Sequence, residues 1–143
     1  METRQTVGYR LVKCKERSFE VKLVSGKKYS EKSVSFHFGC KIEPAEKNQI
    51  SFIINVFYTI DNQEVFKQET ETVFELDPIE QAIEYQPDGR IVDHVNIVPT
   101  LLGLSYSSTR GMIAIRTAGT GLEFFPAPIV DAAEIAKSIS NSN

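Results

Sequence analysis

The hydrophobic and polar positions of this chain change period once. In the first half apolar residues alternate with polar ones, as on strands. Val7, Tyr9 and Leu11 alternate with Gly8 and Arg10, and the phase then slips at Val12-Lys13-Cys14, which predicts an outer strand over Val7–Phe19. Ser25 to Lys32 is a polar, solvated loop. Val34, Phe36, Phe38, Cys40 and Ile42 then alternate without a slip, Pro44–Asn48 is a hairpin loop, and Ile50, Phe52, Ile54, Val56, Tyr58 and Ile60 mark one face of a third strand. The reverse face carries Ser51, Ile53, Asn55, Phe57 and Thr59. Asp61–Glu64 turns the chain into a fourth strand, Val65–Leu76, with Phe66, Phe74 and Leu76 opposite Glu69, Glu71 and Glu75. Short connections make such strands antiparallel, so the pattern predicts a meander with one greasy side.

The second half reads at helical spacing. Asp77-Pro78 ends the sheet, Ile79–Tyr85 is a helical turn or two, and Gln86–Gly89 is a loop. A long helix is expected over Val95–Ala118, capped by Asn96, with Pro99 in its first turn and Gly119 and Gly121 stopping it. Leu101, Leu104, Ser105, Ser108, Met112 and Ile115 fall on one side, and Gly103, Ser107, Gly111, Ala114 and Ala118 form a second stripe almost bare of side chain. Glycine inside a helix costs about 1 kcal/mol relative to alanine, so Gly103 and Gly111 call for close approach of another backbone. The first side is therefore read as covering the sheet and the stripe as an oligomer seam between copies of this chain, the alternative being that both sides are core of one monomer. Prolines hold Gly121–Pro128 extended, Asp131–Ile139 is a short helix with Ala132, Ile135, Ala136 and Ile139 inward, and Ser140–Asn143 frays. Strands first and helices last give an α+β fold: a four-stranded antiparallel sheet with a long and a short C-terminal helix on one face.

Composition narrows the function. A chain of 143 residues, 41% hydrophobic and 24% charged, forms one domain over 1–143, with about 1–6 and 140–143 frayed. Scattered basic residues and a net charge of -3 argue against nucleic acid. The first ten residues lack an apolar core and no run is long enough to span a bilayer, so the cytoplasm is the default compartment and no membrane insertion is expected. Cys14 and Cys40 lack CxxC spacing and read as buried thiols; with His37 and His94 they make a poor metal set. No cofactor is indicated. Ser105, Ser107 and Ser108 have no elbow motif, Gly119-Thr120-Gly121 is too short for a phosphate loop, and no enzyme is indicated. The rival from another class is a hot-dog-like thioesterase or small-ligand carrier, for which Asp93 at the start of the long helix is the only carboxylate candidate.

Several words of the chain resemble the SecB family of protein-export chaperones. They are Val12-Lys13-Cys14-Lys15-Glu16-Arg17-Ser18-Phe19-Glu20, then Asn96-Ile97-Val98-Pro99 at the long helix. Gly119, Leu122, Phe125-Pro126-Ala127-Pro128 and Asp131-Ala132 complete them, in order, between Tyr9 and Ile139. The resemblance implies an ATP-independent chaperone, tetrameric as a dimer of dimers, that holds unfolded polypeptides such as export precursors. It implies hydrophobic client grooves between the sheet and the connector joining the helices, here Leu122, Phe124 and Phe125 with Ile53 and Phe57. It also implies docking of a SecA-type motor through sheet acids, here Glu16, Glu20 and Glu69, and it places the small-residue stripe at subunit interfaces. Lys67 departs from the family's apolar residue two before the last of those acids, and relatives of this fold also serve as chaperones of toxin–antitoxin pairs.

Overall fold

Residues 7–22 and 29–142 are described by the computed structural model. Four long strands, β1 (Gly8–Val21), β2 (Val34–Pro44), β3 (Gln49–Ile60) and β4 (Gln63–Asp77), form one antiparallel sheet. The β3–β4 hairpin closes through Asp61 and Asn62, both at positive φ, the geometry that a two-residue loop between right-twisted strands requires. Strand order is β1-β4-β3-β2. The expected meander therefore holds for β2, β3 and β4 but not for β1, which pairs with β4 at the far edge. The reason lies in connection length: residues 22–33 separate β1 from β2, enough for the Greek-key return that a tight hairpin forbids. The loop expected over Ser25–Lys32 falls partly outside the described residues, as do the frayed residues 1–6. The phase slip at Val12 is a bulge between Leu11 and Lys13, and a second register shift lies between Glu16 and Ser18.

One face of the sheet is covered. Ile50, Phe52, Ile54, Val56 and Tyr58 of β3 and Phe66, Phe74 and Leu76 of β4 are all buried beneath the helices. After β4 come one helical turn, α1 (Ile79–Ala82), then two short strands, β5 (Ile83–Tyr85) and β6 (Ile91–Asp93), and the long helix α2 (Val98–Thr117). Helix α3 (Ala132–Ile139) follows a connector. The tail expected to fray instead runs as β7 (Ser140–Ser142), parallel to β6 in a second sheet of order β5-β6-β7, because main-chain pairing needs no apolar side chain.

Helix α2 buries a face different from the expected one. Val98, Leu101, Leu102, Ser105, Tyr106, Thr109, Ile113 and Thr117 point inward, whereas Leu104 and Ile115 are 46% and 76% exposed and Ser108 and Met112 sit half-buried. A count of apolar letters misses this face because serine and threonine occupy three of its eight positions. Ser105, Thr109 and Thr117 satisfy their hydroxyls by donating to the carbonyls of Leu101, Ser105 and Ile113 one turn earlier, and Thr109 Oγ1 also meets Thr70 Oγ1 of β4 at 2.8 Å. The cap differs too. Asn96 sits at φ 55° and makes no cap; the buried carboxylate of Asp93 accepts from the main-chain N–H of Val95, Ile97 and Val98 at 3.3, 3.0 and 2.8 Å. These are donors that the helix start leaves without intrahelical partners.

One ion pair ties the edge strand to α2. Directly opposed residues share a face, so Tyr9, Leu11, Cys14, Glu16 and Phe19, opposite Leu76, Phe74, Thr72, Thr70 and Gln68, all lie on the helix side of β1. Glu16 accepts two bonds from Arg116, at 2.7 and 2.9 Å, and one from Gln68 Nε2 at 2.6 Å, while the Arg116 guanidinium stacks 3.8 Å over the Phe19 ring. The Arg116 hydrogen bonds hold the Glu16 carboxyl below the usual carboxylate range.

Two outcomes follow from these contacts. Asp93→Ala leaves three main-chain donors, two of them buried, without an acceptor and lowers stability in urea by about 2–3 kcal/mol; Asp93→Asn, which keeps one side-chain oxygen, costs less. For Glu16 the folded pKa lies below the unfolded one, so its contribution is present at neutral pH and lost as pH falls through the folded value. Glu16→Gln therefore melts a few degrees below wild type at pH 7, and thermal scans at successively lower pH bring the two together once wild-type Glu16 is protonated.

Candidate functional site: the connector between the helices

The connector begins where α2 can no longer continue. Gly119 and Gly121 take φ of 80° and 92°, which side chains rarely tolerate, and Thr120 bridges them by donating to Thr117 O while accepting from Leu122 N–H. The Glu123 carboxylate accepts from Gly119 N–H at 2.8 Å and locks the turn. A short 3-10 turn, Leu122–Phe124, points Leu122 into the core, where it is fully buried. Pro126 and Pro128 then keep the chain from coiling.

Side chains from two layers hold the next segment by its carbonyls. Tyr58 of β3 donates to Phe125 O at 2.6 Å, Arg110 of α2 donates from Nε to Ala127 O at 3.1 Å, and Tyr106 of α2 donates to Pro128 O at 2.6 Å. Ala127 is buried, Phe125 and Val130 half-buried, while Phe124 and Ile129 are 75% and 86% exposed. Beside them a cavity of about 310 Å³ opens between α2 and the connector, floored by Gly111 and Ala114 and bordered by Arg110, Glu123 and Pro126. A segment held rigid by its main chain thus presents two large apolar side chains to water.

Of the five residues expected to form a groove, the structure brings only part together. Leu122 is core, Phe125 is half-covered and Phe124 is open. Ile53 and Phe57 lie on the far face of the sheet: Ile53, 5% exposed, sits in register between Lys41 and Glu71, and Phe57 stacks on His37 at 4.5 Å between ring centres. They share no surface with the connector. Ile129 is the residue that the sequence reading passes over, although its place just after Pro128 and outside the apolar face of α3 was the signal for it.

The three acids divide between the two faces of the sheet, Glu16 on one and Glu20 with Glu69 on the other. Glu16 is on the helix side with Arg116; Glu69 is on the outer face, 3.3 Å from Arg17, in a ladder with Lys15–Glu71 and Arg10–Glu75; and Glu20 pairs with Lys22 at 3.2 Å. Each acid already has a cation of its own chain. The small stripe is divided as well. A Cβ on Gly103 would stand 3.7 Å from the Ala132 Cβ of α3, ordinary van der Waals contact, so that position faces α3 of its own chain and has room for a methyl group. Gly111 has open space where a Cβ would be, and Ser107, Ala114 and Ala118 are exposed. Leu104 and Ile115 of α2, and Tyr9, Leu11 and Phe19 on the helix side of β1, are large apolar side chains that stay exposed.

The chemistry available is that of a binding surface. Asp93 spends its carboxylate on the helix cap, Ser105 and Ser108 donate to helix carbonyls, and His94 faces Glu84 at 3.3 Å. Burial pushes the Cys40 thiol up to about 12, far from a reactive thiolate. Among the described residues no three His, Cys, Asp or Glu side chains converge as metal ligands, and no helix is long and apolar enough to cross a membrane.

No family model and no curated protein sequence matches the chain. A solved structure does: the SecB-like chaperone Rv1957 of Mycobacterium tuberculosis, in complex with a ChAD peptide from the Rv1956 HigA1 antitoxin. It superposes with a TM-score of 0.53 at 12% identity, covering 85% of this chain and 90% of that one. In strand number, antiparallel pairing and the long and short helices, this chain has the α+β fold of the SecB-like chaperones.

Proposed function

We propose that this protein is a holdase chaperone that works without ATP, binding unfolded polypeptides on the connector. The observation that carries the reading is the exposure of Phe124 and Ile129 on a segment stiffened by Pro126 and Pro128. Large apolar side chains presented to water in one place mark an interaction surface, and rigidity keeps the ordering cost of binding low. The clients are segments exposed before folding, such as export precursors, taken up in the cytoplasm. Clients and protomers share one logic here. The exposed Leu104 and Ile115 with β1, and the small residues Ser107, Gly111, Ala114 and Ala118, are where copies of the chain pack into a homotetramer that leaves Phe124 and Ile129 open to clients.

A second reading, a chaperone of a toxin–antitoxin pair, is favoured by two observations. The structural neighbour was solved with an antitoxin peptide. Delivery to a SecA-type motor would require Glu20 and Glu69 on the outer face and Glu16 on the helix side to give up Lys22, Arg17 and Arg116; holding an antitoxin requires no such exchange. The thioesterase or small-ligand reading is left without its carboxylate, because Asp93 is committed to three N–H groups.

The test is suppression of aggregation. A reduced, slowly folding client is followed by turbidity with stoichiometric chaperone, which is expected to keep the solution clear. Phe124→Ala combined with Ile129→Ala is expected to lose most of that protection while melting within about 2 °C of wild type, since exposed side chains contribute little to stability. Unchanged turbidity with wild type would end the holdase reading, and full protection by the double variant would move the client surface away from the connector.

A further inference from the structure

We infer that Tyr58, Tyr106 and Arg110 are positioning residues, which act on the client through the connector by fixing its main chain. This rests on the connector being the client surface. Three observations carry it. From Pro126 to Val130 no main-chain N–H is held by another main-chain carbonyl among the described residues, and two of those positions are prolines with no N–H to give. The segment is therefore placed by its carbonyls, and three of the four from Phe125 to Pro128 are taken by these side chains. The donors come from both layers, Tyr58 from the sheet and Tyr106 and Arg110 from one turn apart on α2, so the segment is fixed against strand and helix together.

The exposed pair brackets the clamp: Phe124 immediately precedes Phe125 and Ile129 immediately follows Pro128. Fixing the four residues between them fixes the spacing of the two apolar contacts. A client then meets a preformed pair of anchors and bears less ordering cost. The tyrosine rings have a separate task. Tyr58 packs edge-on against Phe36 and Phe66, and Tyr106 against Phe38, so the rings belong to the core whether or not they carry hydroxyls. Burial pushes the Tyr58 hydroxyl up to a pKa of about 12, so it is a donor at neutral pH.

Phenylalanine at both positions isolates the hydroxyls. Full-length Y58F/Y106F is compared with wild type by hydrogen exchange at the Leu122 and Phe125 N–H groups, the connector amides that are hydrogen-bonded beside the clamp, and by affinity for a fluorescein-labelled, reduced and carboxymethylated lactalbumin. Exchange in the connector is expected to rise about tenfold with β3 and α2 unchanged, and the Kd to rise about five- to tenfold through a faster off-rate. Arg110→Gln should shift both readouts in the same direction. Unchanged exchange overturns the clamp, and faster exchange with unchanged affinity overturns its positioning role. If the double variant fails to fold, Y106F alone is read by the same two criteria. Wild type that does not bind the probe sinks the chaperone reading instead, and exchange alone then decides the clamp.

Discussion

A four-stranded sheet is wider than the one helix laid across it. Outer strand axes stand about 14 Å apart, and a helix with its side chains covers about 10 Å. Helix α2 lies over β3 and β4, so both margins of the inner face need other cover. On the β2 side the connector and α3 supply it, with Phe125 and Val130 packed near Val34, Phe36 and Phe38, and Ile135 and Ile139 near Cys40 and Ile42. On the β1 side cover among the described residues is limited to Arg116 reaching Glu16 and Phe19. Tyr9, Leu11 and Phe19 remain in water there.

From that mismatch the other features follow. A connector long enough to roof the β2 margin cannot be helical, because it must leave α2, turn back and start α3; Gly119 and Gly121 make the turn and the prolines keep the return extended. Such a segment has main-chain carbonyls to satisfy in a half-buried place, and Tyr58, Tyr106 and Arg110 satisfy them. With its main chain turned to internal donors and Leu122 and Ala127 anchored in the core, Phe124 and Ile129 are left outside. The bare β1 margin and the outward stripe of α2 are in turn a surface of the kind that a second copy of the chain fits, with open room at Gly111 for a neighbouring backbone.

Much of this was legible in the residues. Strict alternation in β2 and β3, the slip at Val12 that became a bulge, and the glycines ending α2 all report local geometry, which sequence encodes directly. The side of α2 that is buried did not follow, since Ser105, Thr109 and Thr117 hide their hydroxyls in the helix's own carbonyls and so behave as core. The place of β1 did not follow either, because strand order depends on what a long connection does in space. For the proposed site, the resemblance pointed to the connector and to Phe124, which the structure leaves exposed. It also grouped Ile53 and Phe57 with it, although residues an odd number of places from Tyr58 along β3 point to the opposite face. Glu16 and Glu69 were grouped as acids by the same shortcut, and the register of β1 against β4 separates them.

The account turns on the uncovered margin being covered by the chain itself. Light scattering coupled to size exclusion, on wild type at tens of micromolar, measures this directly. The predicted result is a particle of four times the mass of one chain, which Leu104→Glu together with Ile115→Glu reduces to smaller species that keep the wild-type far-ultraviolet spectrum. A wild-type protein eluting with the mass of a single chain would contradict it.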